Sequence, residues 1–325
     1  MRIRADRFFI SLLFIVIYIA GLDNGKGHAE ATDAAGNKSG QSEERSEFLR
    51  EEGVLLKQNE FQIDIGTYYS TDTRLILIES ETEDVFLSKL IRSSVNIPLT
   101  VRCGLSNDLQ LFITVPFTQQ KLDVRADVGS QNVSESGIGD ITSGLRYQLY
   151  RERGVIPDMV FGFAAKARNG KDPYSESPNA IPLGSGHYHL IADLVAIKSL
   201  DPAIFFLQVG YEYTIKRNVH GQEVDPGDPI IYNFGTGFAL NDQITLSTRV
   251  NGRINGQTLI GGMSDGFGQN SINIEFGTSI LLREGMSIFP SVVIGLTEEA
   301  PDVTIGLSLT SQFNIFKRFK RKEVI

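Results

Sequence analysis

The chain of 325 residues carries 31 Lys+Arg against 39 Asp+Glu, a formal charge of −8, with 41% hydrophobic residues, 32 Gly, one Cys and no Trp. Glycine exceeds the usual share of roughly 7% but follows no G-x-y period, which excludes collagen and simple low complexity. Cys103 has no partner for an internal disulfide, four scattered His and one Cys do not build a structural zinc site, and the acidic balance argues against nucleic-acid binding.

At the N-terminus MRIRADR precedes FFISLLFIVIYIAGL, an apolar run at 8–22 that is short for a membrane span. Ala29, Glu30 and Ala31 follow as a small-residue pattern of the kind a signal peptidase reads, so residues 1–31 are expected to be a cleaved signal peptide. The alternative is an uncleaved anchor. Residues 32–58, rich in Ser, Gly, Asn and Glu, cannot bury enough surface to offset ordering and are expected to form a flexible polar leader.

From residue 59 the pattern alternates with period two as far as 313, which predicts strands of a single domain. The apolar rows run over 61–69, 95–105, 109–117, 141–149, 159–167, 188–196, 205–213, 230–240, 244–250, 272–282, 288–296 and 303–313, giving about twelve strands. Links at 106–108, 151–156, 199–202, 241–242, 283–285 and 297–301 are short. Those near 70–88, 119–136, 169–185, 215–229 and 254–269 are long and polar. Short turns on one rim, long loops on the other and an even strand number predict an all-β, antiparallel transmembrane β-barrel of outer-membrane type.

Which face meets which solvent decides against a soluble sandwich. The apolar rows hold no charge, as a lipid face requires, since Lys or Arg at its midplane costs roughly 2–4 kcal/mol. The opposite face is Gly, Ser, Thr, Asn and Gln with isolated charges at Asp64, Arg102, Arg146, Lys166, Arg168, Asp193, Glu212, Arg249, Arg253 and Glu275. Acids and bases spread over many strands suit a confined aqueous lumen in which they pair, and these ten are the expected pore-lining and selectivity residues. Tyr69, Tyr147, Tyr188, Tyr211, Tyr213 and Tyr232 are available for the interfacial belt that Trp would otherwise supply.

GIGDITSGLRYQL at 137–149, IPLGSGHYHL at 181–190 followed by AIKSL, GYEYT at 210–214 and LTEEAPDVTIGLSLTSQF at 296–313 together resemble the outer-membrane transporter-like proteins named for the meta pathway of phenol degradation. The resemblance implies uptake or export of small, aromatic or hydrophobic solutes. It also implies contact with outer-membrane lipid and with the barrel-assembly machinery, Phe313 serving as the aromatic end of the terminal strand. The sequence departs from the pattern in the twelve residues after Phe313, which make that signal internal and form a basic tail at 314–325.

Three constellations invite other chemistry. Gly137, Gly139 and Asp140 enter a strand, whereas a nucleotide loop opens a helix. His187 and His189 share one strand face with Asp193, and with a neighbouring carboxylate they would contact a ligand or a metal; the alternative is ordinary lumen polarity, and no metal or other cofactor is assigned. Ser185 beside His187 suggests a hydrolase, but no orienting third group is evident and Ser185 lies in a Gly-flanked loop. The expected function is passive conduction of a small-molecule solute through a charged lumen, with no enzymatic step and no nucleic-acid partner. The alternatives are a barrel enzyme acting on outer-membrane lipid and a closed structural barrel.

Overall fold

The computed structural model describes residues 55–79, 85–126, 129–174, 180–264 and 270–314. The expected signal peptide, the leader up to residue 54 and the tail beyond Asn314 lie outside these residues. Seventeen strands follow one another: β1 (Glu60–Glu79), β2 (Val85–Gly104), β3 (Leu109–Ala126), β4 (Gly129–Ile138), β5 (Thr142–Tyr150), β6 (Asp158–Lys166), β7 (His189–Leu200), β8 (Ala203–Thr214), β9 (Arg217–Val219), β10 (Gln222–Asp225), β11 (Ile230–Asn241), β12 (Ile244–Ile254), β13 (Leu259–Ile260), β14 (Met263–Ser264), β15 (Asn270–Arg283), β16 (Met286–Gly295) and β17 (Val303–Asn314).

Twelve of them close an antiparallel barrel in the order β1, β2, β3, β5, β6, β7, β8, β11, β12, β15, β16, β17, with β17 returning to β1. Closure leaves no open edge around the wall, which is what a spanning sheet needs in a medium that cannot hydrogen-bond to its backbone. Register sets the two faces. Asp64 of β1 lies opposite Thr100 of β2 and Thr310 of β17, while Ile63 and Ile65 point the other way and stay exposed. Around the barrel the exposed row is Leu111, Phe163, Leu194, Leu207, Phe234, Leu246, Phe276 and Ile305, an apolar belt for lipid contact.

The structure departs from the expected loops at five segments. Segments 70–88 and 119–136 are largely strand: Thr73 to Leu77 pair with Ile91 to Leu87, and Gln119 to Arg125 pair with Ser136 to Ser130. Leu122, Val124 and Ala126 keep the alternation in the second segment, beneath charges that mark it as polar. Beyond Thr71 the β1 strand has no further β17 partner, so the far halves of β1, β2 and β3, with β4, rise past the wall as a sheet extension. The loops at 215–229 and 254–269 carry β9, β10, β13 and β14, which pair as a separate four-stranded sheet. The short link at 297–301 belongs to the long-loop rim, because both described ends of the chain occupy the other one.

The lumen is not polar throughout. Val160, Val195, Ile197, Ile204 and Phe206 point inward and bury against Leu55, which belongs to the segment expected to be leader. Leu56 is 1% exposed, and its N–H donates to Gln110 Oε1 at 2.9 Å. Leu55 and Leu56 are therefore seated inside the short-turn mouth, while Lys57 and Gln58 stay exposed. The Lys57 carbonyl also fills the space above Gly104, where any side chain would collide with it. Burying one Leu contributes about 1.5–3 kcal/mol, enough to hold two leucines on an apolar floor.

Candidate functional site in the lumen

Nine of the ten expected lumen charges form side-chain ion pairs that join strands across the inward face. On one side of the barrel Arg102 of β2 contacts Asp64 of β1, which also accepts from Gln62 Nε2 and Thr310 Oγ1, each at 2.7 Å. Arg249 of β12 stands 3.8 Å from Glu275 of β15, with its guanidinium 5.6 Å from the centre of the Phe206 ring. These two pairs, with Tyr68 and Phe289, line a cavity of about 190 Å³. Aromatic faces and paired guanidiniums in one chamber allow both stacking and hydrogen bonding to a small solute.

On the other side Arg146 of β5 lies 3.8 Å from Asp193 of β7, and Gln208 Nε2 donates to the same carboxylate at 3.0 Å. Higher in the lumen, Glu212 of β8 is 1% exposed and collects Lys166 Nζ at 3.2 Å, Arg253 Nη1 at 2.8 Å and His189 Nδ1 at 2.7 Å. A carboxylate so enclosed remains ionised only because these donors replace its water. Five bases therefore oppose four acids among the paired wall residues, Arg102, Arg146, Lys166, Arg249 and Arg253 against Asp64, Asp193, Glu212 and Glu275.

Arg168 does not join this row. It follows the end of β6 and stacks 5.1 Å above the Tyr188 ring, on the outer side of the rim.

The two histidines separate in role. His187 is buried outside the strands, where Nδ1–H donates to the Ile215 carbonyl at 3.0 Å, and Nε2 then accepts from Tyr174 Oη at 2.8 Å. Burial holds its pKa below the usual imidazole value. Asp193 shares the inward face with His189 but pairs with Arg146, and no His/Cys/Asp/Glu group able to hold a metal occurs among the described residues.

Ser185 Oγ meets the ring of His189, 2.8 Å from Nε2, and touches His187 only at its backbone, where the carbonyl oxygen lies 3.1 Å away. With Glu212 on the other ring nitrogen, the third group that the sequence did not reveal is supplied by a strand more than twenty residues away. Asp140, considered from sequence only as part of a nucleotide loop, has a different role. Its carboxylate accepts from Gly170 N–H at 2.9 Å, Ser185 N–H at 2.7 Å and Ser185 Oγ at 2.7 Å, tying the β6–β7 link to the start of β5.

Residues 85–313 match the sequence profile of a family described as "Putative MetA-pathway of phenol degradation". Among solved structures, an outer membrane channel from Pseudomonas putida F1 superposes with a TM-score of 0.59 at 14% identity, covering 80% of this chain and 97% of that one. The toluene transporter TodX from Pseudomonas putida superposes with a TM-score of 0.44 at 9% identity, over 80% of this chain and 91% of that one. The first of these carries the same barrel fold as the chain described above.

Proposed function

Because this chain belongs to the family of the MetA pathway of phenol degradation, we propose that it is a passive outer-membrane conduit for small aromatic or hydrophobic solutes, performing no covalent chemistry. The observation that carries this reading is the cavity of about 190 Å³, in which Tyr68 and Phe289 stand beside the Arg102–Asp64 and Arg249–Glu275 pairs. Rings offer apolar faces to a phenol-sized solute, and guanidiniums already neutralised by carboxylates bind an oxygen substituent without trapping it. The solved neighbour that shares the barrel fold is an outer membrane channel, which supports passive conduction.

The nine paired wall charges are proposed to set selectivity along the path, and Phe313 to serve as the assembly signal. Phe313 faces lipid at the short-turn rim, stacked on Phe61 with centroids 6.1 Å apart. The lipid-enzyme alternative requires a Ser and His on the outer face. Here Ser185 approaches His189 on the inward side, so that alternative has no support from geometry.

The test is single-channel conductance of refolded protein in a planar bilayer, with Arg146→Glu and Arg249→Glu beside it. Uptake of a phenol-sized solute by cells bearing and lacking the chain accompanies it. Conductance whose ion preference moves toward cations in the variants, together with chain-dependent uptake, is expected. A folded barrel that neither conducts nor supports uptake would overturn the reading.

A further inference from the structure

We infer that Gly66, Gly277 and Gly306 set the clearance of the lumen chamber by recessing the rings of Tyr68 and Phe289 into its wall, and thereby select the solutes that pass. This role deepens the conduction reading above and rests on it. All three glycines lie within strands, Gly66 in β1, Gly277 in β15 and Gly306 in β17, where a residue without a side chain weakens the sheet. None has the left-handed backbone that favours glycine, and none marks a register shift, so the backbone itself does not call for them.

What a Cβ would meet sets these three apart. At Gly104, Gly144 and Gly235 the nearest atom is a backbone carbonyl oxygen. At Gly66 the three nearest atoms all belong to the Tyr68 side chain, at Gly277 all three are Phe289 ring carbons, and at Gly306 the nearest two are Tyr68 ring carbons. Each ring thus lies against bare backbone on one side and lines the cavity of about 190 Å³ on the other. Tyr68 leans from β1 over Gly306 of β17, and Phe289 leans from β16 over Gly277 of β15. Ser291, opposite both Gly306 and Gly277, keeps the strand between them low.

A Cβ would stand 2.5 Å from Tyr68 Cε2 at Gly66 and 2.6 Å from Tyr68 Cδ1 at Gly306, and at Gly277 it would run into the tip of the Phe289 ring. Carbon atoms rest about 3.5–4.0 Å apart, so a methyl at these positions pushes a ring roughly 1 Å or more into the chamber. Small ions pass beside the Arg102–Asp64 and Arg249–Glu275 pairs without needing either ring. A flat aromatic solute needs both the ring faces and the full width, so clearance at Tyr68 and Phe289 selects for planar, ring-sized solutes.

Gly252 of β12 supplies a comparison on the other face. A Cβ there would meet three ring carbons of Tyr232, its cross-strand partner, but this pair shares the outward face of the exposed Ile230 and Phe234.

Full-length refolded protein is placed in a planar bilayer, and phenol is titrated as a blocker of its single-channel current. Gly277→Ala and Gly306→Ala are compared with Gly252→Ala, each checked for folding by heat-modifiable gel mobility. The inward variants are expected to need about tenfold or more phenol for the same block, the usual worth of one misplaced methylene in a fitted apolar site, with a smaller loss of conductance. Gly252→Ala is expected to match the parent. Trimming the displaced ring, Phe289→Val with Gly277→Ala or Tyr68→Val with Gly306→Ala, is expected to restore conductance, and to restore folding where the alanine alone prevents it. Folded inward variants that match the parent, an equal loss in Gly252→Ala, or defects that ring trimming leaves uncorrected would overturn the role of the glycines. A conducting parent that phenol does not block would overturn it too. In each of these outcomes the parent still conducts, whereas a parent that never conducts removes the conduction reading and this role with it.

Discussion

Asp193 on β7 lies directly over Gly162 on β6, its carboxylate filling the space that any side chain at 162 would enter. The gap lets Arg146 and Gln208 reach the same carboxylate from either side. A Gly162→Ala substitution must displace Asp193 and with it the cross-strand pair. Loss of about 1–3 kcal/mol is expected, the usual cost of overpacking a filled site. Denaturant unfolding from bilayers measures it, and an unchanged unfolding midpoint would argue against this close approach.

Removing one partner of a lumen pair should cost more than removing both. Arg102→Ala leaves Asp64 with neutral donors only, Gln62 and Thr310, and roughly 1–3 kcal/mol of stability is expected to go with it. The Arg102→Ala, Asp64→Ala double variant is expected to recover part of this. Equal destabilisation of single and double variants would argue against coupling across the cavity.

Leu55 and Leu56 hold the segment at 55–58 at the short-turn mouth. Replacing both by Ser removes about 1.5–3 kcal/mol of apolar burial per residue. The segment then leaves the lumen, and single-channel conductance is expected to rise. Unchanged conductance in a folded variant would mean that these residues do not limit the path.

The junction of Tyr174, His187 and Ile215 is expected to loosen in acid. Burial lowers the His187 pKa, a lowering to which nearby positive charge at His189 and Arg217 adds. A depressed histidine binds fewer protons folded than unfolded, so its stabilisation is complete above the ordinary value near 6.5 and fades as pH falls through the folded value. Histidine titration by NMR should place His187 below that value. Amide exchange at Tyr174 and Ile215 should quicken in acid, while His187→Gln should remove the dependence.

How much of this could be read from the chain alone follows from the range of the forces involved. Period-two alternation is a local property of backbone geometry, so the strand number, the lipid face and the membership of nine lumen charges were visible without coordinates. Sheet extension at 72–79 was hidden because Leu75, Ile76, Leu77 and Ile78 form a continuous apolar run without the period-two pattern, between polar residues that read as loop. The apolar floor left a fainter mark: in LVAIK at 194–198 the alternation fails because both faces are apolar, which signals an inward cluster. The sequence by itself therefore determined a lipid-facing barrel with a charged interior. Which charge meets which, Glu212 with Lys166, Arg253 and His189, or Ser185 with Asp140, depended on strand register and on closure of β17 onto β1. Those pairings act between residues tens of positions apart, and only the closed sheet brings them within hydrogen-bond reach.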